Sequence, residues 1–420
     1  MSRVVFSAAD ILIPKKEFLE DWAVVACDQY SSAPEYWNRI EEKVTGKPSM
    51  LHMIMPEAWL ETEKGINHQK QIPSAMKEYM DSDVFEEYPK SFIYVERMLN
   101  SGQIRRGIIG MLDLEAYDFH KGSGSAIRAT EATIESRIPA RVQVRSQASL
   151  EFPHVLLLAD DDRNELLDSF KDLKNEMPLL YSFDLMENGG RISGWLVSGK
   201  AAEAMEERLA SYIETIPSKY EDLGEKNLVF AVGDGNHSLA AAKALWESIK
   251  QDLPADQLET HPARYALVEM ENIHDDSQQF EPIHRVLFDT DVDGILKELG
   301  SICREDEGFE IGWQTACGKG TLYLDPAKGE LACAILQNFL DKWLEQNKGR
   351  IDYIHGESEV ELLSQRENAI GFLLPSMDKK SLFRGVIADG SLPRKTFSMG
   401  HANEKRYYLE GKMIRLTMEK

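Results

Sequence analysis

The sequence Asn227-Leu-Val-Phe-Ala-Val-Gly-Asp-Gly-Asn-His-Ser-Leu-Ala-Ala-Ala-Lys-Ala-Leu245 joins a predicted strand to a predicted helix. Its first part, Leu228 to Val232, is an unbroken apolar run that is typical of a buried strand. From Ser238 onward, apolar residues such as Ala241 and Leu245 recur at helical spacing and would share one face. The chain is therefore predicted to change from strand to helix within a few residues.

The predicted turn between this strand and helix is a seat for an anion. Gly233 and Gly235 permit positive φ angles and let a ligand approach the backbone closely. The free N–H groups and the dipole of a helix start favour negative charge. Together with Asn236 and Ser238, the two glycines are therefore predicted to bind a phosphate or a carboxylate.

Three side chains of this segment offer chemistry. Asp234 is a candidate base or metal ligand, His237 a candidate proton donor or phosphate contact, and Ser238 a helix cap or hydrogen-bond donor. In a purely structural alternative, the glycines only form a turn, and Asn236 or Ser238 only caps the helix. That alternative accounts for every residue of the turn except His237.

Composition limits the class of protein and of partner. A chain of 420 residues with 43% hydrophobic residues is long enough for two or three domains with their own cores. The formal net charge of -23 repels a polyphosphate backbone, so a nucleic-acid partner is not expected. Any bound phosphate is predicted to belong to a small molecule held in a local positive pocket. The sequence leaves the oligomeric state open.

The cysteines and the apolar segments indicate the compartment. Cys27, Cys303, Cys317 and Cys333 show no paired spacing, which argues against a zinc knuckle, a redox dithiol or a disulfide framework. No stretch approaches the roughly 20 apolar residues that a membrane span needs, and the N-terminus lacks a long apolar region. The sequence therefore predicts a cytoplasmic protein without a membrane partner.

Hairpin signals indicate antiparallel sheet alongside the helices. Two pairs of strand-like runs are each separated by a short Asn- and Gly-containing turn: 92–99 with 107–114, and 179–186 with 191–197. Beyond Gly308 a new set of strands alternates with helices, which predicts a second domain. The fold class is therefore predicted to be α+β, with mixed and antiparallel sheets.

Further cations are candidates for a phosphate pocket. Arg128 and Arg137 follow the Lys121-Gly-Ser-Gly-Ser125 stretch and would approach Glu131 if that segment is helical. His284, Arg285 and Lys395 lie in two other short motifs. The alternative in each case is a solvated loop or an ordinary charged helix.

Five motifs occur in this order along nearly the whole chain: Cys27-Asp-Gln29, Thr130-Glu-Ala-Thr133, Asp234-Gly-Asn-His-Ser238, Ile283-His-Arg285 and Pro393-Arg-Lys-Thr396. They resemble the landmarks of the bacterial and archaeal domain of unknown function 1015 family, which are Tyr-Asp-Val, His-Glu-x-Thr, Asp-Gly-His-His-Arg, Thr-His-Arg and Pro-x-Lys-Ser-Thr. Asn236 and Ser238 stand where that family has His and Arg. The positive charge that neutralises a bound phosphate would then come from Arg137, Arg285 or Lys395.

The resemblance implies a fold and a chemistry. The family's Asp-Gly-His-His-Arg is similar to the signature of the ParB and sulfiredoxin-like superfamily, in which the loop and helix start bind nucleotide phosphates. Residues 1–300 would form a ParB-like domain with an antiparallel region inserted at about 90–225, and residues 301–420 a C-terminal α+β domain. Free serine kinases share the superfamily, and genes of the family tend to lie beside serine-biosynthesis genes. This implies phosphoryl transfer to or from serine.

The residues and the resemblance are compatible with three functions. The first is small-molecule phosphoryl transfer by a serine kinase or a phosphoserine phosphatase, with Mg²⁺ and with ATP or ADP as possible cofactors. Asp28 or Glu131 would then be the base, Asp234 would hold Mg²⁺ or act as base, and His237 would hold phosphate with the loop amides. The second is a nucleotide-binding regulator without turnover. The third, a ParB-like DNA-binding protein, conflicts with the net charge.

Overall fold

The computed structural model describes residues 5–60, 62–224, 227–329, 331–393 and 395–415. The chain divides into two compact units, neither of which is continuous in sequence. Unit 1 comprises Met1–Ala129, Thr133–Gln278 and His401–Lys420, and unit 2 comprises Thr130–Ala132 and Gln279–Gly400. The boundary predicted at residues 300 and 301 lies within the long segment of unit 2, and the predicted domain layout stays a prediction.

The described part of unit 1 is built on an eleven-stranded mixed sheet. Its strands run in the order Leu179–Asp184, Arg191–Val197, Phe85–Met98, Ile104–Asp113, Tyr265–Asn272, Leu156–Ala159, Phe230–Asp234, Ile127–Ala129 and Tyr117–Asp118, while Phe6–Ser7 and Ala9–Pro14 pair beside this path. Two small ladders join Val24–Val25 to Tyr407–Tyr408 and Leu150–Glu151 to Lys412–Met413. The C-terminal segment therefore adds strands to unit 1.

Both predicted hairpins are confirmed. The Phe85–Met98 strand pairs antiparallel with Ile104–Asp113, and Leu179–Asp184 pairs antiparallel with Arg191–Val197. The structure also contains parallel pairs, including Phe230–Asp234 beside Ile127–Ala129. Together with the helices, these mixed and antiparallel sheets confirm the predicted α+β class.

Helices cover parts of unit 1 with the faces that periodicity predicted. The α-helices are Leu19–Trp22, Pro34–Val44, Glu63–Asp81, Ile138–Gln147, Asp168–Leu173, Lys200–Lys219 and Asn236–Ile249. Ala241 and Leu245 are buried, as their spacing indicated, and Ala240 and Ala241 pack against Ile138 of the neighbouring helix. Within the described ranges, no helix combines the length and the apolar character that crossing a membrane requires.

The core of unit 1 joins segments that are distant in sequence. Trp22 and Trp37 of the N-terminal region are fully buried in the same cluster as Leu267 and Tyr407. Burial of such large side chains contributes roughly 1.5 to 3 kcal/mol each. This packing fixes the C-terminal segment against strands formed by the first hundred residues.

Unit 2 contains a seven-stranded antiparallel sheet among its described residues. Its path is Cys303–Arg304, Gly318–Leu324, Phe309–Thr315, Ile370–Leu373, Phe280–Phe288 and Arg350–His355, with Phe397–Met399 paired to Phe280–Phe288. The α-helices are Val292–Gly300, Ala332–Gln346, Glu357–Leu363 and Lys379–Asp389. Leu336 and Leu340 of the second helix pack with Leu287 and Phe372 of the sheet in the core of this unit.

Candidate functional site

The predicted strand-to-helix turn exists in unit 1, but it is shorter than the sequence suggested. Gly233 and Asp234 belong to the strand, and the helix begins at Asn236 rather than Ser238. The strand is longer because its ladder to Leu156–Ala159 continues to Asp234. Gly235 alone connects the two elements, with φ 77° and ψ 21°.

Gly235 cannot be replaced by another residue without strain. Its positive φ is a left-handed conformation that side chains disfavour. A Cβ atom here would also lie 2.9 Å from Cγ2 and 3.0 Å from Cα of Val155. The close approach of Val155 to this backbone therefore requires glycine.

The first helical turn presents backbone donors to the space beyond the strand. The N–H of Leu239 donates to the carbonyl of Gly235 at 3.0 Å, which is the first bond of the helix. Helix geometry provides no intrahelical acceptor for the N–H groups before it, and the helix dipole adds partial positive charge. Gly235 is the N-cap and offers no side chain, so the alternative in which Asn236 or Ser238 caps this helix is wrong.

Asn236 contributes a polar atom whose partner is not among the described residues. Its Oδ1 is buried and accepts no hydrogen bond from the described part of the chain. A buried acceptor without a donor is costly, by about 1 to 3 kcal/mol. Ligands or water commonly fill such positions.

Asp234 stands at the end of the strand as an ionised carboxylate. Its Oδ1 accepts the N–H of Gly235 at 2.9 Å, and Nζ of Lys405 lies 3.2 Å from its Oδ2. Burial raises the pKa of Asp234, but Lys405, His154 and the Gly235 N–H together outweigh burial and hold that pKa below its usual value. The side chain is 18% exposed, so the charge faces a partly open position.

Asp28 follows a residue, Cys27, that is linked by hydrogen bonds to His154 in unit 1. It lies just after the Val24–Val25 strand, which pairs with Tyr407–Tyr408. The N–H of the preceding residue, Cys27, donates to Oη of Tyr408 at 3.2 Å, and that oxygen lies 2.7 Å from Nδ1 of His154. Since the charge of His154 acts on Asp234, the first and third sequence motifs are linked within unit 1.

The protonation and hydrogen bonding of the Cys27 thiol and the His237 imidazole limit the chemistry of these two groups. Burial, reinforced by the carboxylate of Asp28, raises the pKa of Cys27 to about 12, so its thiol stays protonated. Nε2 of His237 lies 3.2 Å from the N–H of Ile134 and accepts a hydrogen bond from it. The neutral ring then carries its proton on Nδ1, which is the atom that can donate.

The two arginines after the Lys121–Ser125 stretch do not lie on one helix. Arg128 belongs to the Ile127–Ala129 strand, where it pairs with Ala231, and the helix starts only at Ile138. Arg128 is buried, which lowers the pKa of its guanidinium, and its Nη1 donates to the carbonyl of Ser123 at 3.1 Å. The backbone of Arg137 lies in the short 3-10 helix Glu135–Arg137, and its side chain lies outside the described residues.

The remaining predicted residues belong to unit 2. Arg285 is fully buried and donates to Oε1 of Gln337 at 2.8 Å and to Sγ of Cys333 at 3.1 Å. His284 is also buried, which lowers its pKa, and its Nδ1 accepts the N–H of Leu374 at 3.1 Å. The positive charge of Arg285 is thus used inside unit 2, and this burial gives no support to a phosphate contact.

Glu131 and the C-terminal motif meet in unit 2. The N–H of Thr396 donates to Oε1 of Glu131 at 3.2 Å, and the thiol of Cys333 lies 3.6 Å from Oγ1 of Thr396. Lys395 is exposed and has a positive φ of 58°, which costs a non-glycine residue about 1 kcal/mol or more. The second, fourth and fifth motifs therefore converge within this unit.

Two residues that act on the charge of Asp234, His154 and Lys405, were missed in the sequence, and so was Tyr408, which contacts His154. His154 precedes a strand, while Lys405 and Tyr408 lie near the end of the chain, where no motif pointed to them. The Leu156–Ala159 strand, which follows His154, pairs with Phe230–Asp234, whereas Tyr407–Tyr408 pairs with Val24–Val25 at the other end of the chain. The pattern Lys405-Arg-Tyr-Tyr408, with two cations before two aromatic residues, was the one local signal available.

Comparison with known proteins gives a family and several distant structures. The model of the family described as Protein of unknown function (DUF1015) matches residues 7–410. No curated protein matches. Among solved structures, a C-terminally truncated SbnI from Staphylococcus aureus is 10% identical over 70% of this chain and 83% of that chain, with a TM-score of 0.36.

Two further structures show a similar level of likeness. A free serine kinase in complex with AMP is 9% identical over 73% of this chain and 90% of that chain, with a TM-score of 0.37. A conserved hypothetical protein from Pyrococcus furiosus is 9% identical over 73% and 94%, with a TM-score of 0.34. These scores are low, so function has to be argued from the residues of the site.

Proposed function

This chain belongs to the family described as Protein of unknown function (DUF1015), and from that premise we propose that it transfers a phosphoryl group to or from a small molecule. The class of substrate is a hydroxy amino acid such as serine, and the activity is that of a kinase or of a phosphatase. One observation carries the proposal. An ionised carboxylate, Asp234, stands directly before the N-terminus of a helix whose only connection to the strand is glycine.

The helix start is the phosphate seat in this proposal. The N–H groups of Asn236, His237 and Ser238 form the first turn, and helix geometry directs them away from the helix body. Because Gly235 has no side chain, phosphate oxygens can approach this backbone closely. Stabilisation of charge by fixed donors is the main requirement of phosphoryl transfer.

Asp234 fits the role of Mg²⁺ ligand better than the role of base. An efficient general base has a pKa near the working pH, whereas the pKa of Asp234 is lowered. Mg²⁺ commonly takes one or two carboxylates and completes its shell with water and substrate phosphates. The described residues contain no group of three or more His, Cys, Asp or Glu side chains that could hold a metal alone, so ATP or ADP would supply the other ligands.

The base that removes a proton from the hydroxyl group or from water is assigned to Asp28, which belongs to the same unit as Asp234. Asp28 is half-buried in unit 1 and accepts a bond from Nε2 of Gln29 at 3.0 Å. Glu131 belongs to unit 2, where its Oε1 accepts the N–H of Thr396, and its role as a base stays a prediction of the sequence. His237, with its Nδ1 proton, and Arg137 remain proposed phosphate contacts in unit 1, while the role of Lys395 in unit 2 stays a prediction of the sequence.

A nucleotide-binding regulator without turnover is the second candidate. It is favoured by the state of the nearby side chains, because Cys27 stays protonated and Nε2 of His237 is held by the backbone of Ile134. Neither group is then prepared for nucleophilic attack. Such a site binds and orients a nucleotide without needing a reactive side chain.

The test uses the full chain with Mg²⁺ in three assays: phosphate release from phosphoserine, serine phosphorylation with ATP or ADP, and nucleotide binding by calorimetry. Asp234→Asn is expected to remove turnover, whereas Asp162→Asn, at an exposed acid of unit 1, serves as the control. Nucleotide binding at micromolar concentration without turnover would favour the regulator. Absence of both turnover and nucleotide binding would refute the proposal.

A further inference from the structure

The proposed phosphate seat contains a negative charge of its own. Asp234 directly precedes Gly235 and the helix start, so a bound phosphate would lie close to an ionised carboxylate. Like charges at such short range repel one another strongly in a partly buried site. The site therefore needs a cation that can interact with both the Asp234 carboxylate and the phosphate.

Lys405 is placed to be that cation. Its Nζ lies 3.2 Å from Oδ2 of Asp234, and its side chain is 13% exposed. An ammonium group that is largely removed from water is held by its partners rather than by solvent. The other oxygen of Asp234 is occupied by the Gly235 N–H, so the lysine approaches the carboxylate on the side away from that amide.

The backbone of this lysine is anchored by buried arginines from the sheet. Arg97 is 2% exposed, yet its guanidinium donates to main-chain carbonyls: Asn403 at 2.6 Å, Lys405 at 2.6 Å and Gly189 at 2.7 Å. Arg105 donates to the carbonyl of Glu404 at 2.7 Å. Two buried charges are thus used to fix the segment of three residues, Asn403 to Lys405.

The residue after Lys405 points elsewhere. Nε of Arg406 lies 2.7 Å from Oε2 of Glu269, and its guanidinium also pairs with Glu410. Of two consecutive cations, one therefore neutralises acids inside the core and the other is directed to Asp234. Arg406 is therefore a structural cation, whereas Lys405 lies at the proposed ligand site.

We infer that Lys405 is a phosphate-binding residue of the proposed site. Without ligand its ammonium group neutralises Asp234. With a magnesium-bound phosphate ligand, Asp234 would hold the metal ion and Lys405 would donate to a phosphate oxygen. The ligand class is the phosphate group of a nucleotide or of a phosphorylated metabolite, and the inference rests on the proposed function of this site.

A purely structural role for Lys405 makes a different prediction. If the lysine only balances Asp234, then its removal matters only while the carboxylate is charged. In an Asp234→Asn background, Lys405→Met would then have no effect on ligand binding. If the lysine binds phosphate, the loss persists in that background.

The experiment is a double-mutant cycle on the full chain. Affinity for ADP is measured by calorimetry with and without Mg²⁺, and inorganic phosphate is measured as a second probe, for the wild type, Lys405→Met, Asp234→Asn and the double variant. Lys405→Met is expected to weaken ADP binding roughly ten- to a hundredfold in both conditions, since a charge-assisted hydrogen bond is lost. Asp234→Asn is expected to weaken binding only when Mg²⁺ is present.

The control is Lys219→Met, which removes the lysine of another ion pair in unit 1, with Asp160 and Asp162. It should leave ADP affinity unchanged, and thermal unfolding checks that each variant is folded. Wild-type affinity in Lys405→Met, or an effect that disappears in the double variant, would overturn the inference while leaving the proposed function intact. A wild type that binds neither ADP nor phosphate would instead remove the proposed function.

Discussion

At the scale of single residues, the geometry of the proposed site depends more on the backbone of Gly235 than on any side chain. It connects the strand to the helix as the N-cap residue and lies against Val155, in a conformation that L residues disfavour. A site that recognises phosphate through the backbone depends on such a position, because the donors are N–H groups.

Gly235→Ala is therefore expected to cost about 2 to 4 kcal/mol, the sum of positive-φ strain and of overpacking against Val155. Binding of phosphate ligands should fall in the same variant. Gly122→Ala is the matched control, because Gly122 has φ 81° and nothing within 4 Å of an added Cβ, so that only the backbone strain applies. Urea unfolding measures the loss of stability in both variants, and equal losses would contradict a cost of overpacking against Val155.

The sequence predicted only the part of the site that is formed by consecutive residues. The motif around Asp234 was found because its turn chemistry is local, and the role of Gly235 follows from it. The cations predicted to complete it were drawn from motifs, and Arg285 proved to be buried among neutral acceptors in unit 2. Lys405 was missed, since it lies in a C-terminal segment that no motif marked and that the distant Arg97 and Arg105 hold in place.

At the scale of elements, the Tyr265–Asn272 strand contains two buried acids on one face. Glu269 faces Arg406, and Oε1 of Glu271 lies 3.1 Å from Nε of Arg105 on the adjacent strand. Burial, together with the charge of Glu269, raises the pKa of Glu271 to about 8 despite the attraction of Arg105. Desolvation therefore outweighs the ion pair at this position.

This buried acid predicts a dependence of stability on pH. With a folded pKa near 8 and an unfolded value near 4.5, Glu271 keeps its proton in the folded state while the unfolded chain releases it. The contribution to stability is fully present below about pH 4.5 and is lost as the pH rises toward 8. Each pKa unit is worth about 1.4 kcal/mol.

Glu271→Gln should flatten this part of the profile of unfolding free energy between pH 5 and pH 8. Gln is uncharged and keeps an oxygen for Arg105, so the fold is expected to be retained. Glu165→Gln, at an exposed acid of the same unit, should leave the profile unchanged. Parallel profiles for the wild type and Glu271→Gln would show that Glu271 titrates normally.

Elements with local signals were predicted well, and those fixed by distant partners were not. Both hairpins came from short turns between apolar runs and are confirmed. The segment around Arg128 was treated as a possible helix, but it forms a strand because Phe230–Asp234 pairs with it from a hundred residues away. Periodicity within a short window carries no information about such a partner.

At the scale of the whole molecule, the charge of the chain opposes the ligand that its site is proposed to bind. The sequence has 71 acidic and 48 basic residues, so the far field repels phosphate, while Lys405 and the helix start act only at contact distance. Association should therefore accelerate when salt screens the repulsion. The on-rate of ADP in stopped-flow measurements is expected to rise a few-fold between roughly 0.01 M and 0.15 M salt, as the Debye length falls from about 30 Å to about 8 Å.

Adenosine, which carries no charge, is the control and should associate at a rate independent of salt. Duplex DNA should show no tight binding at physiological salt, because its phosphates meet the same repulsion along a far longer contact. An ADP on-rate that falls steeply with salt would mean that positive potential dominates around the entrance. The net charge of -23 would then be a poor guide to the field that a ligand meets, and the case against a nucleic-acid partner would weaken with it.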